Sequence, residues 1–389
     1  MRNYFADLHI HIGRTFAGKP VKITAAKDLT LTNVLQTAKF PKGIDIVGII
    51  DCHSPEVMIE MERLCNNGRL VELEEGGFRF EDEVTLIPGI EMEVFDENCC
   101  GPIHLLAYFQ GFSQLKEFSS WISRRVKNIH LSTQRVYESA GVIQEKVHSL
   151  NGLFIPAHVF TPFKSLYGKG VRHSLAEVLE PGGIDGVELG LSSNTEMADQ
   201  IEELHPYTFV SNSDAHSLPK IAREYQRLTL EKPTFQAIKK ALHKQDGHQI
   251  DANYGLNPFL GKYYRTACSK CFTLKQGENC HACGSVTFTK GVSERIAELA
   301  HQGRAGNGPP KRPPYIHQVP LEFLPGLGPK TMNKLYDYFG TEMNILHRVS
   351  EKELKNVVKE NLAELIIKAR SGELELRKGG GGRYGKVAK

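Results

Sequence analysis

Residues 7–12 read Asp7-Leu8-His9-Ile10-His11-Ile12, polar alternating with apolar. An extended strand sends successive side chains to opposite faces. The stretch therefore puts Asp7, His9 and His11 on one side and Leu8, Ile10 and Ile12 on the other. Two imidazoles and a carboxylate on one face are the nucleus of a metal shell. The other ligands have to come from elsewhere in the chain.

Working outward, short apolar runs recur with a ligand-type residue at or just past their carboxyl ends. Residues 44–50 end in Asp51-Cys52-His53, 85–90 in Glu91, 153–157 in His158 and 186–187 in Glu188, while 208–210 lead to Ser211-Asn212-Ser213-Asp214-Ala215-His216. His104 opens the run LLAYF. Residues 115–140 and 220–243 are long and amphipathic enough for crossover helices. With the opening stretch this makes about seven short strands, the pattern of a βα barrel whose site lies at the C-terminal mouth. One histidine beside an apolar run is usually an ordinary hydrogen-bonded residue. Several at corresponding positions are not, because each buried ionisable group costs free energy unless paired or metal-bound.

The 389 residues, 40% of them hydrophobic, suffice for two or three domains with a sizeable core. The N-terminus MRNYFADLHIH has no apolar signal core, and no segment reaches the roughly 18 uninterrupted apolar residues of a membrane span, so a cytoplasmic protein without membrane attachment is expected. Charge is divided. Residues 262–389 carry 22 basic and 12 acidic side chains, and residues 1–261 carry 26 and 33. An acidic, His-rich first part beside a basic second part suggests a metal site next to something that meets polyanions.

Cys268, Cys271, Cys280 and Cys283 form C-x2-C-x8-C-x2-C, the spacing of a structural zinc site; Cys52, Cys65, Cys99 and Cys100 follow no spacing rule. Two disulfides are the competing reading, disfavoured in a reducing compartment. Tyr263, Tyr264, Arg265, Lys270, Phe272 and Lys275 surround the unit and could stack on bases and contact phosphates, or the unit could simply staple a small domain.

Taken in order, His9-Ile10-His11, Asp51 with His53, Glu91 after PGI, His104, Pro156-Ala157-His158 and Ser213-Asp214-Ala215-His216 resemble the successive motifs of the polymerase and histidinol phosphatase (PHP) superfamily. The resemblance covers residues 1 to about 250. It implies an α/β fold, a distorted seven-stranded βα barrel, with two or three divalent ions (Zn, Mn, Mg or Fe) and phosphoester hydrolysis. One ion would take His9, His11, Glu91 and Asp214, and a second Glu91, His104 and His158. A third would take His53 and His216, with Asp51, Asp7 or Glu188 left to complete it. Many members add a histidine a few residues after the first pair; Arg14-Thr15-Phe16-Ala17 has none. Metals about 3.5–4 Å apart can activate water and stabilise both oxygens of an in-line attack on phosphorus.

Residues 303–314 read as a linker. Beyond it, Leu324-Pro325-Gly326-Leu327-Gly328-Pro329-Lys330-Thr331 leads into a helix, and resembles a helix-hairpin-helix DNA backbone binder in which Gly326, Gly328, Lys330 and Thr331 would meet phosphate. Ser350-Glu351-Lys352-Glu353 is a capping box. The expected domains are a barrel at 1–255, a zinc unit at 256–300, a helical unit at 315–376 and a basic, Gly-rich, disordered tail at 377–389. This order resembles the endonuclease Q family over essentially the whole chain, including FIPAHVFTPF and DGVELGLSSN. That resemblance implies a DNA repair nuclease nicking 5′ to uracil, hypoxanthine, xanthine and abasic sites, with the damaged nucleotide flipped out. The alternatives are another PHP phosphoesterase, histidinol-phosphatase-like or exonucleolytic, and an inactive DNA-binding scaffold. Lys164, Lys169 and Arg172 are candidate phosphate contacts. Phe160, Phe163 and Tyr167 read as core in preference to a DNA wedge. Residues 318–323 (QVPLEF) are similar to the peptide by which repair proteins hold the sliding clamp.

Overall fold

Seven short strands close into a barrel in the computed structural model, which describes residues 1–261, 263–300 and 308–374 and the backbone of 376–377 and 386–387. They are β1 (Arg2–Ile10), β2 (Ile46–Ile49), β3 (Val84–Val94), β4 (Ile103–Tyr108), β5 (Leu153–Pro156), β6 (Val187–Glu188) and β7 (Phe209–Val210). Strands β1, β2 and β3 pair in parallel, β4 runs antiparallel to both β3 and β5, and β6 pairs in parallel with β7. Single backbone bonds complete the circuit. Asp185 N–H donates to Phe154 O (3.0 Å) and Val159 N–H to Glu188 O (2.9 Å), joining β5 to β6. His11 N–H donates to Ala215 O (3.1 Å) and Ala215 N–H to His9 O (3.2 Å), joining the exit of β7 to β1. The reversed β4 explains why His104 opens its run where the other ligands close theirs: the start of β4 lies at the mouth formed by the other strands' ends.

The strict alternation expected of residues 7–12 is broken. Ala6 and Asp7 pair with Ile46 and Val47, but Ile10 pairs with Ile49, so Leu8 and His9 together oppose Gly48. This β-bulge turns the strand by one residue. Ala6 and Leu8 belong to the buried cluster that also draws Ile46, Ile50, Ile87, Leu106, Tyr108, Ile155 and Val210 from successive strands and fills the barrel. Ile10 and Ile12 pack in the other cluster, outside it. A side chain on Gly48 would meet the Leu8 carbonyl at 2.3 Å, so the bulge needs glycine there.

Helices α1 (Leu31–Thr37), α2 (Pro55–Asn66), α3 (Phe112–Ser123), α4 (Ala140–Ser149), α5 (Thr195–Ala198) and α6 (Phe235–Leu242) belong to this part of the chain. Two expected crossover helices are shorter than their sequence windows. In the window 220–243, β8 (Tyr225–Leu230) replaces the first turns, because YQRLTL has the period-two burial of a strand. In 115–140 the helix ends at Ser123 and the following loop enters the site. Strand β8 pairs antiparallel with β1 and with β9 (Gln249–Gly255), and β10 (Tyr315–His317) adds in parallel to β9.

The four-cysteine unit precedes α7 (Val292–Ala300). Helices α8 (Pro329–Phe339), α9 (Glu342–His347), α10 (Glu351–Val357) and α11 (Glu360–Ser371) form the C-terminal unit. His347 anchors it to the barrel, stacking on Phe5 with ring centroids 4.4 Å apart and meeting the Tyr225 hydroxyl at 2.7 Å. Residues 303–307 of the expected linker and most of the expected disordered tail lie outside the described residues; of that tail, Arg377 pairs with Lys386.

Candidate metal centre and its surroundings

His9 and His11 enter the mouth just past the bulge, with their Nδ1 atoms held from behind. His9 Nδ1 donates to Glu188 (3.0 and 3.1 Å), and His11 Nδ1 donates to Asp51 Oδ2 (3.1 Å). A proton fixed on Nδ1 leaves the Nε2 lone pair free for a cation. Both Nε2 atoms are buried and without a hydrogen-bond partner. His9 Nε2 lies 3.6 Å from Glu91 Oε1 and 3.5 Å from Asp214 Oδ1; His11 Nε2 lies 3.5 Å from Glu91 Oε2 and 3.5 Å from Asp214 Oδ1. These separations are long for hydrogen bonds. They match the edge, about 3.4 Å, of a tetrahedron with metal–ligand bonds of about 2.1 Å.

Glu91 also faces a second group. Its Oε1 lies 2.8 Å from His104 Nδ1 and 3.4 Å from His158 Nε2, and those nitrogens are 3.3 Å apart. Four of the expected ligands thus gather at one point and three at a neighbouring one, with Glu91 common to both. The residues fit divalent ions at both places. His158 and Asp214 both take positive φ, 30° and 46°, a backbone strain of the kind found at functional sites. Gly190 makes room for the first of these: a side chain there would meet His158 Cβ at 2.8 Å. Asp214 keeps 32% of its side-chain surface while Glu91, His9 and His11 keep 1% or less, so Asp214 is the most open of these four to solvent.

The electrostatics favour cations. Burial alone would protonate Glu91 and Asp214, yet the surrounding histidines and Lys22 hold Glu91 well below its usual range, and His9, His216 and His11 do the same for Asp214. Burial disfavours the His9 imidazolium, but Glu188, Asp214 and Glu91 outweigh it and hold that ring at about 10. In a protein without ions the proton does part of a metal's work there.

The expected third set does not assemble in the same way. His53 and His216 are both pushed down to about 4, chiefly by burial, so their rings are neutral donors. His53 Nδ1 is buried and unpartnered, but among the described residues no three ligand types gather around it. The three carboxylates considered for it make bonds elsewhere, although Asp51 keeps one buried oxygen, Oδ1, without a partner. Asp51 Oδ2 accepts from His11 Nδ1 and from the Ile12 N–H (2.7 Å). Glu188 accepts from His9, the His158 N–H (2.9 Å) and Asn212 Nδ2 (2.7 Å). Asp7, on the other side of the bulge, accepts from the N–H groups of Ser213 (3.0 Å) and Ala222 (2.9 Å) and so shapes the loop that carries Asp214. Sequence reasoning missed Lys22, Ser132 and Thr133. Thr133 Oγ1 donates to Glu91 Oε2 (2.6 Å), Lys22 Nζ lies 3.3 Å from the same oxygen, and Ser132 Oγ sits 3.2 Å from His11 Nδ1. No spacing rule connects them to the histidines.

No family model matches the sequence. The chain is 54% identical over 389 residues, all of both chains, to the uncharacterized protein YqxK of Bacillus subtilis. It is 37% identical over 253 residues to an uncharacterized protein of Methanocaldococcus jannaschii, covering 59% of this chain and 31% of that one. Its structure superimposes on that of the lesion-specific endonuclease PfuEndoQ from Pyrococcus furiosus with a TM-score of 0.85 at 32% identity, over 99% of this chain and 95% of the other. This chain belongs to the endonuclease Q family. The family sets the enzyme class, a metal-dependent DNA endonuclease. A second endonuclease Q, solved with a 27-mer duplex carrying an abasic lesion at the active site, matches with a TM-score of 0.84 at 30% identity over 99% and 96% of the two chains.

Outside the barrel, the chain gathers Cys268, Cys271, Cys280 and Cys283 with all four sulfurs within 4.8 Å, as free thiols and not disulfides. Cys268 and Cys283 are 3.6 Å apart and Cys271 and Cys280 3.4 Å, near the edge of about 3.8 Å expected for zinc–sulfur bonds of about 2.3 Å. Phe160 and Tyr167 are core, but Phe163 is 46% exposed, contrary to the core reading, and packs edge-on against Tyr263 at 5.4 Å. Phe163, Lys169, Ser269, Phe288 and Lys290 line the cleft between barrel and zinc unit. Lys164 is paired with Glu93 (2.7 Å) beside His104. Gly326, with φ 85°, and Thr331 line a groove at the start of α8 with Lys334 and Lys359; Gly328 caps that helix and Lys330 is exposed. The clamp-like peptide is used internally: Gln318 accepts from the Tyr225 hydroxyl (2.7 Å), and Gln318 and Leu321 are buried. Among the described residues no helix is long and apolar enough to cross a membrane.

Proposed function

We propose that this enzyme nicks DNA on the 5′ side of deaminated bases (uracil, hypoxanthine, xanthine) and abasic sites, using the barrel centre on a nucleotide turned out of the duplex. The observation that carries the proposal is Glu91, whose carboxylate lies between two adjoining sets of imidazoles inside a fold shared over nearly its whole length with lesion-acting endonucleases. When bound, a pair of divalent ions supplies activated water at neutral pH and neutralises charge at phosphorus. His9, His11, Glu91 and Asp214 hold the first ion, and Glu91, His104 and His158 the second. Glu188 and Asp51 orient the first two rings, and Thr133 orients Glu91. The four cysteines hold zinc. The zinc unit and the N-terminus of α8, with Gly326, Gly328, Lys330 and Thr331, contact the backbone on either side of the flipped nucleotide. Flipping costs a few kcal/mol, least at mispaired or baseless positions, and this favours lesions before any base is read.

A duplex labelled on one strand and carrying a single uracil tests this, with manganese or magnesium, with chelator, and with Asp214→Ala. A chelator-sensitive nick 5′ of uracil, absent in the variant, is expected. Digestion from the ends, or phosphate release from histidinol phosphate alone, would mean a different PHP phosphoesterase.

A further inference from the structure

The two halves of the cysteine unit are the same turn with different residues at one position. Phe272 follows Cys271 and donates its N–H to Cys268 O (3.0 Å); Gly284 follows Cys283 and donates its N–H to Cys280 O (2.7 Å). Both lie in the left-handed region, Phe272 at φ 64° and Gly284 at 70°. Glycine takes that conformation freely, whereas a bulky residue is strained in it. Phe272 gains little burial in return, since it is 48% exposed. Strain of this kind, held against no packing gain, is characteristic of sites that meet a ligand.

Phe272 lines a cleft of about 470 Å³ with Phe163, Tyr263, Arg265 and Lys290. Tyr263 also walls a smaller cavity of about 210 Å³ beside the metal centre, which Thr161, Ser192, Asn212 and Arg223 make polar. The two spaces therefore adjoin, one polar and one aromatic. From 263 to 290 the chain carries Arg265, Lys270, Lys275 and Lys290 against a single acid, Glu278, a balance that suits a polyanion. A nucleotide turned out of a duplex leaves one other base unpaired, the one opposite it. That base differs from lesion to lesion, so its site has to accept any base, as stacking on a ring does and hydrogen-bond readout does not.

Resting on the lesion reading above, we infer that the aromatic cleft takes the unpaired base opposite the lesion, with Phe272 as its stacking face. The cysteine unit then holds the complementary strand by a base as well as by its backbone, and the polar cavity is left to the lesion nucleotide.

The test is duplex binding by the full-length protein carrying Asp214→Ala, so that the strand stays uncut. One duplex has an abasic site opposite guanine, a second has abasic sites at both positions, a third has uracil opposite guanine, and a fourth is intact. Removing the guanine opposite the abasic site should weaken binding roughly 5- to 150-fold, the worth of one stacked base. Adding Phe272→Gly should erase that difference, leaving both abasic duplexes at the weaker level. Glycine suits the left-handed turn, so this variant keeps its zinc–thiolate content and melts no lower than its parent. Equal binding of the two abasic duplexes by the parent, or a difference that survives Phe272→Gly, would overturn the inference. Loss of zinc in Phe272→Gly would overturn it too, by showing that the ring serves the fold. A loss on Phe272→Gly confined to the uracil duplex would assign the cleft to the lesion base instead. A parent that binds the abasic duplex no better than the intact one would overturn the lesion reading, and this inference with it.

Discussion

The barrel centre and the four-cysteine unit are both candidate metal sites by geometry, yet they are built in opposite ways. The barrel ligands come from positions 9 to 214, on five strands or their exits. The rings of β1 are held from behind by Glu188 or Asp51, and two large buried clusters surround the whole. The cysteines come from one stretch of sixteen residues, Cys283 is exposed, and among residues 263–290 the buried apolar side chains are Ala267, Cys268 and Cys280. A site resting on a packed core keeps its shape without ions. A site that is most of its own core does not.

The largest expected effect is therefore on the cysteine unit. Chelator stripping, or Cys271→Ser with Cys283→Ser, should unfold it, since a structural zinc contributes about 10–16 kcal/mol in small zinc modules. Limited proteolysis should then cut within 263–290, while the main calorimetric transition of the barrel moves by no more than a few degrees. A barrel that melts with the zinc unit would break the comparison.

The reverse experiment removes a barrel ligand. Asp214→Asn should leave melting nearly unchanged and reduce nicking by at least ~100-fold, because charge stabilisation in the transition state is lost without loss of packing. One step further out, Glu188→Gln keeps the shape beside His9 but weakens the grip on its Nδ1 proton. Barrel metal affinity should fall about 10–100-fold by competition titration, with the cysteine zinc unaffected.

A smaller effect separates the helical unit from both sites. Burial first, then Arg227, Arg370 and Arg348, push His347 down to about 3, whereas an unfolded histidine titrates near 6.5. The folded pKa is the lower one, so the stability contributed by the neutral ring is fully present above about pH 6.5 and is lost as pH falls toward 3. His347→Gln should flatten the acid-side decline in melting temperature between pH 7 and 4. An unchanged slope would mean that His347 does not report the joint.

The same contrast governs how much could be read from sequence. The gathering of the four cysteines was legible because their spacing is its geometry. The barrel ligands were legible because each follows an apolar run, and His104, which opens one, is accounted for by the reversal of β4. The bulge at Leu8 and His9 was not legible, since it depends on the register of β2 and on the room that Gly48 leaves. Without it Asp7 shares a face with His9; with it Asp7 turns to the loop of Ser213 and Ala222. Lys22 and Thr133 carry no periodic signal at all, and only the folding back of two loops puts them on Glu91. Phe163 shows a related limit: beside buried Phe160 and Tyr167 it is indistinguishable by composition, and only the turn at 161–165 exposes it.

The central claim is that Glu91 joins two ions. Crystals equilibrated with manganese and measured at the manganese absorption edge test it directly through anomalous difference density. Two peaks about 3.5–4 Å apart are predicted, one bounded by His9, His11 and Asp214, the other by His104 and His158, with Glu91 between them. A single peak, or peaks that leave Glu91 without contact, would contradict the account.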